Sequence, residues 1–316
     1  MTLRIAGKVG RAALVIFLVT VAVVAMFGLV PGSIAQVILG ESATPENVAQ
    51  LNSSLGLDDP LWSRYVDWVG GAVRGDLGNS PLTGQPVTQA ILERLPVTLE
   101  LAVLALVIAL VTAVPLAVVS SLRAGTKTDR SINGLTSVLL SVPTFVAAPV
   151  LIYLLALQAG VFPVTGWVSF AESPFENLRH ALLPAVAIAI TEIAAFTRIL
   201  RTDLVSTLGE DYVAAARAKG LPTRYVVLRH ALRPSSFSLI TVVGVNLGRL
   251  IGGTVIVESL FALPGLGQLV TTSIMSRDVV MVQGIVAFLA VAYVGINTIV
   301  DVGYGFLDPR VRGSRA

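Results

Sequence analysis

Residues able to carry out bond chemistry are few in this chain. Cysteine is absent, which excludes disulfides, thiol catalysis and cysteine-ligated metals. Two histidines, His180 and His230, lie far apart in the sequence and do not form the ligand set of a zinc site. The sequence also lacks a G-x-x-x-x-G-K-[ST] phosphate loop, a nucleophile elbow and an H-E-x-x-H pair. These observations predict no catalytic, metal or ATP site in the chain itself.

Charged side chains inside long apolar segments are the second group with chemical potential. Glu192 and Arg249 each interrupt such a segment, and Arg249 lies among glycines that allow close helix packing. Charges within a membrane face the protein interior or a wet cavity rather than lipid. Two interpretations stay open: they line a translocation path and contact a charged or zwitterionic cargo, or they pair with each other or with a partner subunit. Asn246 and Glu258 are further candidates for the same path.

The highly charged stretch 204–235 predicts a short helix with clear start and stop signals. Thr207 and Glu210 fit a capping box at the start of a helix over Leu208–Lys219, and Gly220 fits its C′ position. Such a helix is an ordinary amphipathic linker or a rigid peg that transmits motion from a soluble partner. The side predicted to approach another surface contains Tyr212, Ala215, Ala216 and Lys219. A second short segment is predicted over Arg224–Leu232, ending before Pro234.

The elements that position these residues are membrane helices. Only 13% of the residues are charged, against about 25% in soluble proteins, and the mean hydropathy is +0.82. The uncharged runs Ala12–Gly40, Leu101–Leu122 and Val279–Val300 each exceed the roughly 20 residues that cross a bilayer core. The pI is near 9.4, but the basic residues lie at the ends of apolar segments instead of on one face, which argues against nucleic-acid binding.

The predicted architecture is an all-α integral membrane protein with about six transmembrane helices. With a cytoplasmic N-terminus, sixteen Lys and Arg residues fall inside and five outside, so the positive-inside rule predicts that both termini are cytoplasmic. The first apolar stretch is longer than a typical signal peptide core, so it is interpreted as a membrane helix. The helices are predicted at 11–31, 97–122, 132–158, 181–203, 236–258 and 279–305.

The first long connection, 32–96, is predicted to be external and to contain two short helices. Thr44 and Pro45 indicate the start of the first helix, and Gly56 its end. The second opens at Asp59-Pro60 and carries apolar and aromatic residues at helical spacing, which suits the membrane interface or a docking surface; a helix lying on the bilayer without a partner is the alternative. These residues are Leu61, Trp62, Tyr65, Trp68 and Val69.

Several motifs, taken in order along the chain, resemble one family. The stretch 210–221, EDYVAAARAKGL, is similar to the "EAA" loop of ABC importer permeases, in the form found in the B-type permease of dipeptide and oligopeptide importers. The other matching segments are Ala43–Glu46, Leu55–Pro60, Gly75–Ser80, Arg94–Leu101, Glu258–Gly267 and Leu307–Arg310.

This resemblance implies a type I ABC importer permease in the bacterial inner membrane. Such a subunit pairs with a second, related permease, two ATPase subunits or domains bind ATP and Mg²⁺ below it, and an extracytoplasmic solute-binding protein delivers cargo. The chain divides on this basis into 1–31 with the first membrane helix, the external segment 32–96, and a core permease domain over 97–316 that includes the coupling loop 204–235. The resemblance assigns ATPase coupling to Glu210, Asp211, Tyr212, Ala216, Arg217, Lys219, Gly220 and Leu221.

Other functions stay open at this point. Relatives of this permease type carry nickel complexes, glutathione or haem as well as peptides, and cargo choice depends largely on the binding protein. A stand-alone secondary transporter is less favoured because we find no inverted repeat and only one carboxylate, Glu192, in the middle of a predicted membrane helix. A membrane-embedded enzyme is opposed by the lack of a nucleophile–base pair or a metal site.

Overall fold

The structure is a computed structural model that describes residues 2–29, 34–54, 56 and 58–307. Within these residues the chain is helical, without a named strand. Three arginines that were counted on the cytoplasmic side lie outside the described residues: Arg310, Arg312 and Arg315. Most of the Leu307–Arg310 motif also lies outside them. The α-helices of the described residues are α1 (Thr2–Leu29), α2 (Ile34–Leu39), α3 (Pro45–Ser54), α4 (Leu61–Ala72), α5 (Val87–Leu122), α6 (Lys127–Ser141), α7 (Thr144–Leu151), α8 (Pro174–Leu208), α9 (Asp211–Ala218), α10 (Thr223–Tyr225), α11 (Leu232–Gly253), α12 (Val255–Leu260), α13 (Leu266–Met275) and α14 (Val279–Leu307).

Four helical segments of the described residues are long and apolar enough to cross a membrane. They are Val87–Leu122, Pro174–Leu208, Thr223–Leu260 and Val279–Val300. The consecutive helices α6 and α7 make a fifth crossing if they count as one broken span, and Ala13–Met26 is a shorter apolar segment within α1. A multi-pass membrane architecture follows, while the count of six remains a prediction.

Three of these segments begin well before their predicted positions. The second predicted membrane helix starts at Val87 rather than 97, the fourth at Pro174 rather than 181, and the fifth at Thr223 rather than 236. The added turns of α5 are part of a packed surface, because Val87 and Ile91 are buried in a hydrophobic cluster. Hydropathy marks the apolar middle of a helix, so a polar extension that packs on protein is missed.

Prolines explain a sharp bend between α6 and α7. The direction of the helix axis changes by 100° from α6 to α7. Val142 has extended dihedral angles, φ −91° and ψ 112°, as expected for a residue that precedes a proline, and Pro143 is the N-cap of α7. A π-helical stretch, Ile152–Gln158, extends α7 beyond its internal Pro149.

The predicted break before Pro234 is wrong. The chain runs helically from Thr223 through α10, a π-helical stretch over Val226–Ala231 and into α11. Pro234 has no N–H for the carbonyl of His230, four residues earlier, and its ring crowds that carbonyl. The wider π turn relieves this crowding, and the Tyr212 hydroxyl donates a long hydrogen bond of 3.4 Å to the His230 carbonyl.

By its internal contacts the chain forms two compact units. The first unit comprises residues 1–98 and 264–294. In the segment predicted to be external, the backbone N–H of Asn47 donates to Thr44 Oγ1 at 3.2 Å, which confirms the predicted N-cap of α3. Gly56 follows α3 with a φ of +64°, as its predicted role requires.

Helix α4 packs on α1 within the first unit. The hydroxyls of Tyr65 and Thr20 are hydrogen-bonded at 2.8 Å, and the rings of Phe17 and Tyr65 meet edge to face at 6.1 Å. An apolar groove of about 510 Å³ lies between the two helices. Through Tyr65, the apolar face predicted for this helix therefore contacts α1, the predicted first membrane helix, while Trp62 on the same face remains largely exposed. The groove is lined by Phe17, Val21, Val24, Ala25, Leu61, Trp62, Tyr65, Val66 and Val69.

The second unit comprises residues 99–263 and 295–316. Its central element is α8, and 61% of the most apolar 18-residue stretch of this helix is buried. Large side chains such as Phe196, Leu200 and Leu204 are fully enclosed, and many of the remaining buried positions of α8 are alanines. Small residues let neighbouring helices approach closely, which is how helices associate within a membrane. All the candidate coupling and path residues belong to this unit.

Candidate coupling helix and intramembrane charge cluster

The short helix predicted in the charged stretch exists, but it begins later than expected. Helix α8 continues to Leu208 and ends at Gly209, so Thr207 is a helical residue that accepts a hydrogen bond from Ser235 Oγ at 2.9 Å. Glu210 is instead the N-cap of α9, and its carbonyl accepts the backbone N–H of Val213 at 3.0 Å. The predicted capping box between Thr207 and Glu210 is therefore wrong. The pattern also occurs inside a helix that continues, and sequence does not distinguish the two cases.

The predicted end of the helix is confirmed. Gly220 has a φ of +77°, a left-handed conformation that suits glycine, and its N–H donates to the Arg217 carbonyl at 2.9 Å. Asp211 lies in the first turn and Arg217 in the last, so both charges complement the helix dipole. The helix thus ends after about two turns, and the chain leaves its axis at Gly220.

Helix α9 has one buried face and one open face. Val213 and Ala216 pack on Val226, with Leu208 and Leu221 at the edge of this cluster. Two of the eight predicted coupling residues, Ala216 and Leu221, therefore hold the helix on the protein. The other six are exposed: Glu210, Asp211, Tyr212, Arg217, Lys219 and Gly220.

The open face of α9 carries both charge signs and an aromatic side chain. Tyr212, Ala215 and Lys219 follow one another at helical spacing, and all three are exposed. Tyr212 also reaches the His230 carbonyl, and the rings of Tyr225 and His230 meet at 5.6 Å. The helix is therefore attached to the start of α11 through Tyr212 and to the end of α8 by chain continuity. The open face is thus connected to two helices that are long enough to cross a membrane.

Sequence reasoning missed a second charge cluster at the same end of α8. Arg201 donates through Nε and Nη2 to both oxygens of Asp129 at 2.7 Å, and Ser120 Oγ donates to Asp129 at 2.6 Å. The N–H of Gly125 also donates to Asp129, at 2.8 Å. The cluster joins α5, α6 and α8. The sequence did contain a sign that Asp129 has a specific role. It is the single acidic residue between Glu100 and Glu172, and it lies between two basic residues, Lys127 and Arg130.

Three of the four predicted path residues come together in the membrane part of the second unit. Glu192 of α8 accepts hydrogen bonds from Asn246 Nδ2 at 2.6 Å and from Arg249 Nη2 at 2.5 Å, both on α11. The Glu192 side chain is only 3% exposed, whereas that of Arg249 is 60% exposed. Of the two interpretations left open, mutual pairing is present in the structure, and the exposed guanidinium still leaves a surface for a further contact.

Glu258, the fourth predicted path residue, is not part of this cluster. It is fully buried in α12 and accepts a hydrogen bond from Thr254 Oγ1 at 2.7 Å. Thr254 occupies the break between α11 and α12. The pair therefore bridges that break, and a path role for Glu258 stays a prediction.

The described residues contain no group of three or more histidine, aspartate or glutamate side chains that could hold a metal ion. His180 is engaged through Nδ1 with the Glu176 carbonyl at 2.8 Å. The second unit therefore presents two features: the open face of the short helix α9, and a charge pair between α8 and α11, the long helices that precede and follow α9 in the chain.

Comparison with known proteins decides the family. Residues 109–313 match the family model described as the binding-protein-dependent transport system inner membrane component, and residues 1–102 match the model of its N-terminal part. The chain belongs to this family. It is 38% identical over 99% of both chains to a permease protein of a peptide transport system in Brucella abortus (strain 2308). It is 33% identical to the dipeptide transport system permease protein DppB of Escherichia coli (strain K12), over 93% of this chain and 94% of that one.

Solved structures of ABC transporters share the fold. The methionine ABC transporter MetNI in an inward-facing form matches with a TM-score of 0.57 at 16% identity, over 70% of this chain and 97% of that one. An amino acid ABC transporter crystallised with histidines matches with a TM-score of 0.53 at 17% identity, over 69% and 94%. The chain is thus a multi-pass inner-membrane permease subunit with the ABC importer permease fold, as its motifs predict.

Proposed function

We propose that this permease subunit forms half of the translocation path of an ABC importer for dipeptides and oligopeptides. Relatives named for peptide and dipeptide transport align with nearly the whole chain, at 38% and 33% identity. The complex contains a second, related permease, two ATPase subunits that bind ATP and Mg²⁺, and an extracytoplasmic solute-binding protein. The chain itself performs no bond chemistry, and ATP is hydrolysed by the partner subunits.

The open face of α9 is the observation that carries the coupling role. Val213 and Ala216 fix this helix to the protein on one side, and Tyr212 and Lys219 are exposed on the other. A short helix that is rigidly attached to α8 and α11 acts as a lever, which a flexible loop cannot do. In the proposed complex this face lies in a groove of an ATPase subunit. The carboxylates at its N-terminal end, Glu210 and Asp211, pair there with basic groups.

The proposed mechanism is alternating access. ATP-driven closure of the ATPase subunits moves α9. Helices α8 and α11 follow, because α9 packs against Leu208 at the end of α8 and Tyr212 bonds to the His230 carbonyl just before α11. The two permease halves then rock and open the path outward, and hydrolysis returns the inward-facing state. Glu192 and Arg249 lie on the two helices that move, so the charge pair is suitably placed to meet cargo in the path.

A charge reversal at the N-cap of α9 tests the coupling role. In complexes reconstituted with the binding protein, Glu210→Lys is expected to reduce peptide uptake by about tenfold or more, since a lost charge-assisted contact is worth about 1.5–3 kcal/mol. ATP hydrolysis should continue but lose its dependence on loaded binding protein. Glu172→Lys, the same substitution at an exposed site in the loop before α8, is the matched control and should leave both activities unchanged. Normal coupled uptake by Glu210→Lys would refute the assignment.

Partner composition tests the class of transporter. Purification of the chain from native membranes in mild detergent is expected to recover a second permease and ATPase subunits, identified by mass spectrometry. Recovery of the chain alone, under conditions that preserve a known ABC complex, would instead support a self-sufficient transporter. Uptake of nickel complexes, glutathione or haem, with no uptake of peptides, would keep the ABC class and replace the cargo.

A further inference from the structure

Arg249 is only partly used by the charge pair in the second unit. In the described residues its guanidinium donates through Nη2 to Glu192 Oε1, and the side chain remains 60% exposed. A guanidinium carries five N–H donors in a planar fork, so most of its hydrogen-bonding capacity is left over. An arginine in a membrane segment does not direct these donors at lipid, because that costs several kcal/mol. The exposed part of Arg249 therefore requires a polar counterpart.

Glu192 holds the guanidinium in a fixed orientation. One carboxylate oxygen accepts from Arg249 and the other from Asn246, and the glutamate side chain is almost completely buried. Glu192 thus has little exposed surface for a contact with cargo, whereas most of the Arg249 side chain is exposed. The pair is also neutral overall, which makes the remaining attraction for an anion weaker than that of an isolated arginine in the membrane.

We propose that Arg249 binds the C-terminal carboxylate of the peptide as it passes, and that Glu192 and Asn246 are its positioning residues. This inference rests on the proposed peptide-import function. The guanidinium fork matches a carboxylate and binds it in a bidentate manner. Partial neutralisation by Glu192 suits a transport site, which must bind its cargo and then release it. A carboxylate of the second permease has the same chemistry, so the test must separate these two sources.

The test compares a dipeptide, L-alanyl-L-phenylalanine, with its C-terminal amide in the reconstituted complex. The Glu192→Gln/Arg249→Gln double variant keeps a hydrogen-bonded, neutral pair and avoids a buried unpaired charge. For each peptide, uptake by the variant is divided by uptake by the unaltered complex, so that any preference of the binding protein cancels. We expect uptake of the free acid to fall about tenfold and uptake of the amide to change less than about twofold, because only the free acid loses a charge-assisted hydrogen bond to Arg249.

Chemical rescue gives a second readout, because the chain has no cysteine of its own. A Glu192→Gln/Arg249→Cys variant is treated with an aminoethyl methanethiosulfonate, which restores a cation, or with the neutral methyl reagent. The aminoethyl reagent is expected to restore uptake of the free acid, and the methyl reagent is not. The Glu192→Gln/Arg249→Gln complex, treated in the same way, controls for cysteines of the partner subunits.

The outcomes separate the alternatives. An equal fall in uptake of both peptides, with no rescue by the cation, would overturn the proposal and leave Arg249 a structural role. Reduced recovery of the second permease with the double variant would also overturn it, by placing the bound carboxylate on that subunit. An unaltered complex that imports glutathione, haem or nickel complexes but neither peptide would refute the proposed peptide cargo itself, and the carboxylate assignment would fall with it.

Discussion

Asp129 is the most heavily hydrogen-bonded carboxylate among the described residues. Its carboxylate accepts hydrogen bonds from Arg201, Ser120, Gly125 and Asn133, and its side chain is 5% exposed. A buried ion pair contributes little net stability compared with a well-packed apolar pair, but removal of one partner leaves an uncompensated charge. The cluster joins the end of α5, the start of α6 and the C-terminal part of α8, so it fixes the position of the helix end that leads into α9.

Neutralisation of Asp129 is expected to destabilise that frame. Asp129→Asn should cost about 3 kcal/mol, the lower end for a broken buried pair, because Arg201 is 23% exposed and retains some hydration. The measurement is the thermal unfolding midpoint of the detergent-solubilised complex. Asp211→Asn, at an exposed position in the first turn of α9, is the matched control and should lower stability by less than about 1 kcal/mol. An equal effect of the two substitutions would show that the cluster has no special structural weight.

At the scale of the element, the conformation of Gly220 controls how α9 ends. Its φ is +77°, and a β-carbon added there would meet no atom within 4 Å, so the backbone conformation is the only cost of a side chain. Gly220→Ala is therefore expected to destabilise the end of α9 by about 1–2 kcal/mol. Hydrogen exchange of the amides in 211–221 should rise accordingly. Gly134→Ala, within α6 and also free of close neighbours, is predicted to be neutral or stabilising, since alanine favours helix by up to about 1 kcal/mol. Unchanged exchange in Gly220→Ala would contradict the assigned role.

Local signals predicted some elements well and others poorly. Thr44, Gly56 and Gly220 act through backbone groups close in sequence, so their roles could be read from the residue types. The capping box predicted at Thr207 was wrong because α8 continues past this residue. The Thr207 hydroxyl there accepts a hydrogen bond from Ser235, which is distant in the sequence.

Contacts between distant segments decided the rest of the site. The pairing of Glu192 with Arg249 was one of two open interpretations, because residue types alone do not reveal which helices are neighbours. The bond between Asp129 and Arg201 joins residues 72 positions apart and was not predicted. The π turn that keeps α11 continuous past Pro234 likewise depends on local packing that a proline rule does not include.

At the scale of the whole molecule, the bent pair α6–α7 decides the orientation of everything that follows it. If α6 and α7 together cross the membrane, the loop before α8 lies outside and α9 lies in the cytoplasm. If they turn back to the side on which they began, α9 and its neighbouring basic residues become external. Arg217, Lys219 and Arg224 would then be translocated, against the strong cytoplasmic preference of lysine and arginine near membrane helices. The charge distribution therefore favours a complete, broken crossing.

Single cysteines introduced into the naturally cysteine-free chain test this topology. Lys127→Cys, Glu172→Cys and Arg224→Cys replace exposed residues at the start of α6, in the loop before α8 and in α10. In right-side-out vesicles, a membrane-impermeant maleimide should label Glu172→Cys alone. In inverted vesicles it should label the other two variants instead, because each segment between the three positions crosses the membrane once. Labelling of Arg224→Cys from outside, with Glu172→Cys protected, would mean that α6 and α7 form a re-entrant loop. In that case α9 could not meet a cytoplasmic ATPase, and the coupling role of Glu210 would fail for a reason that no substitution within α9 could reveal.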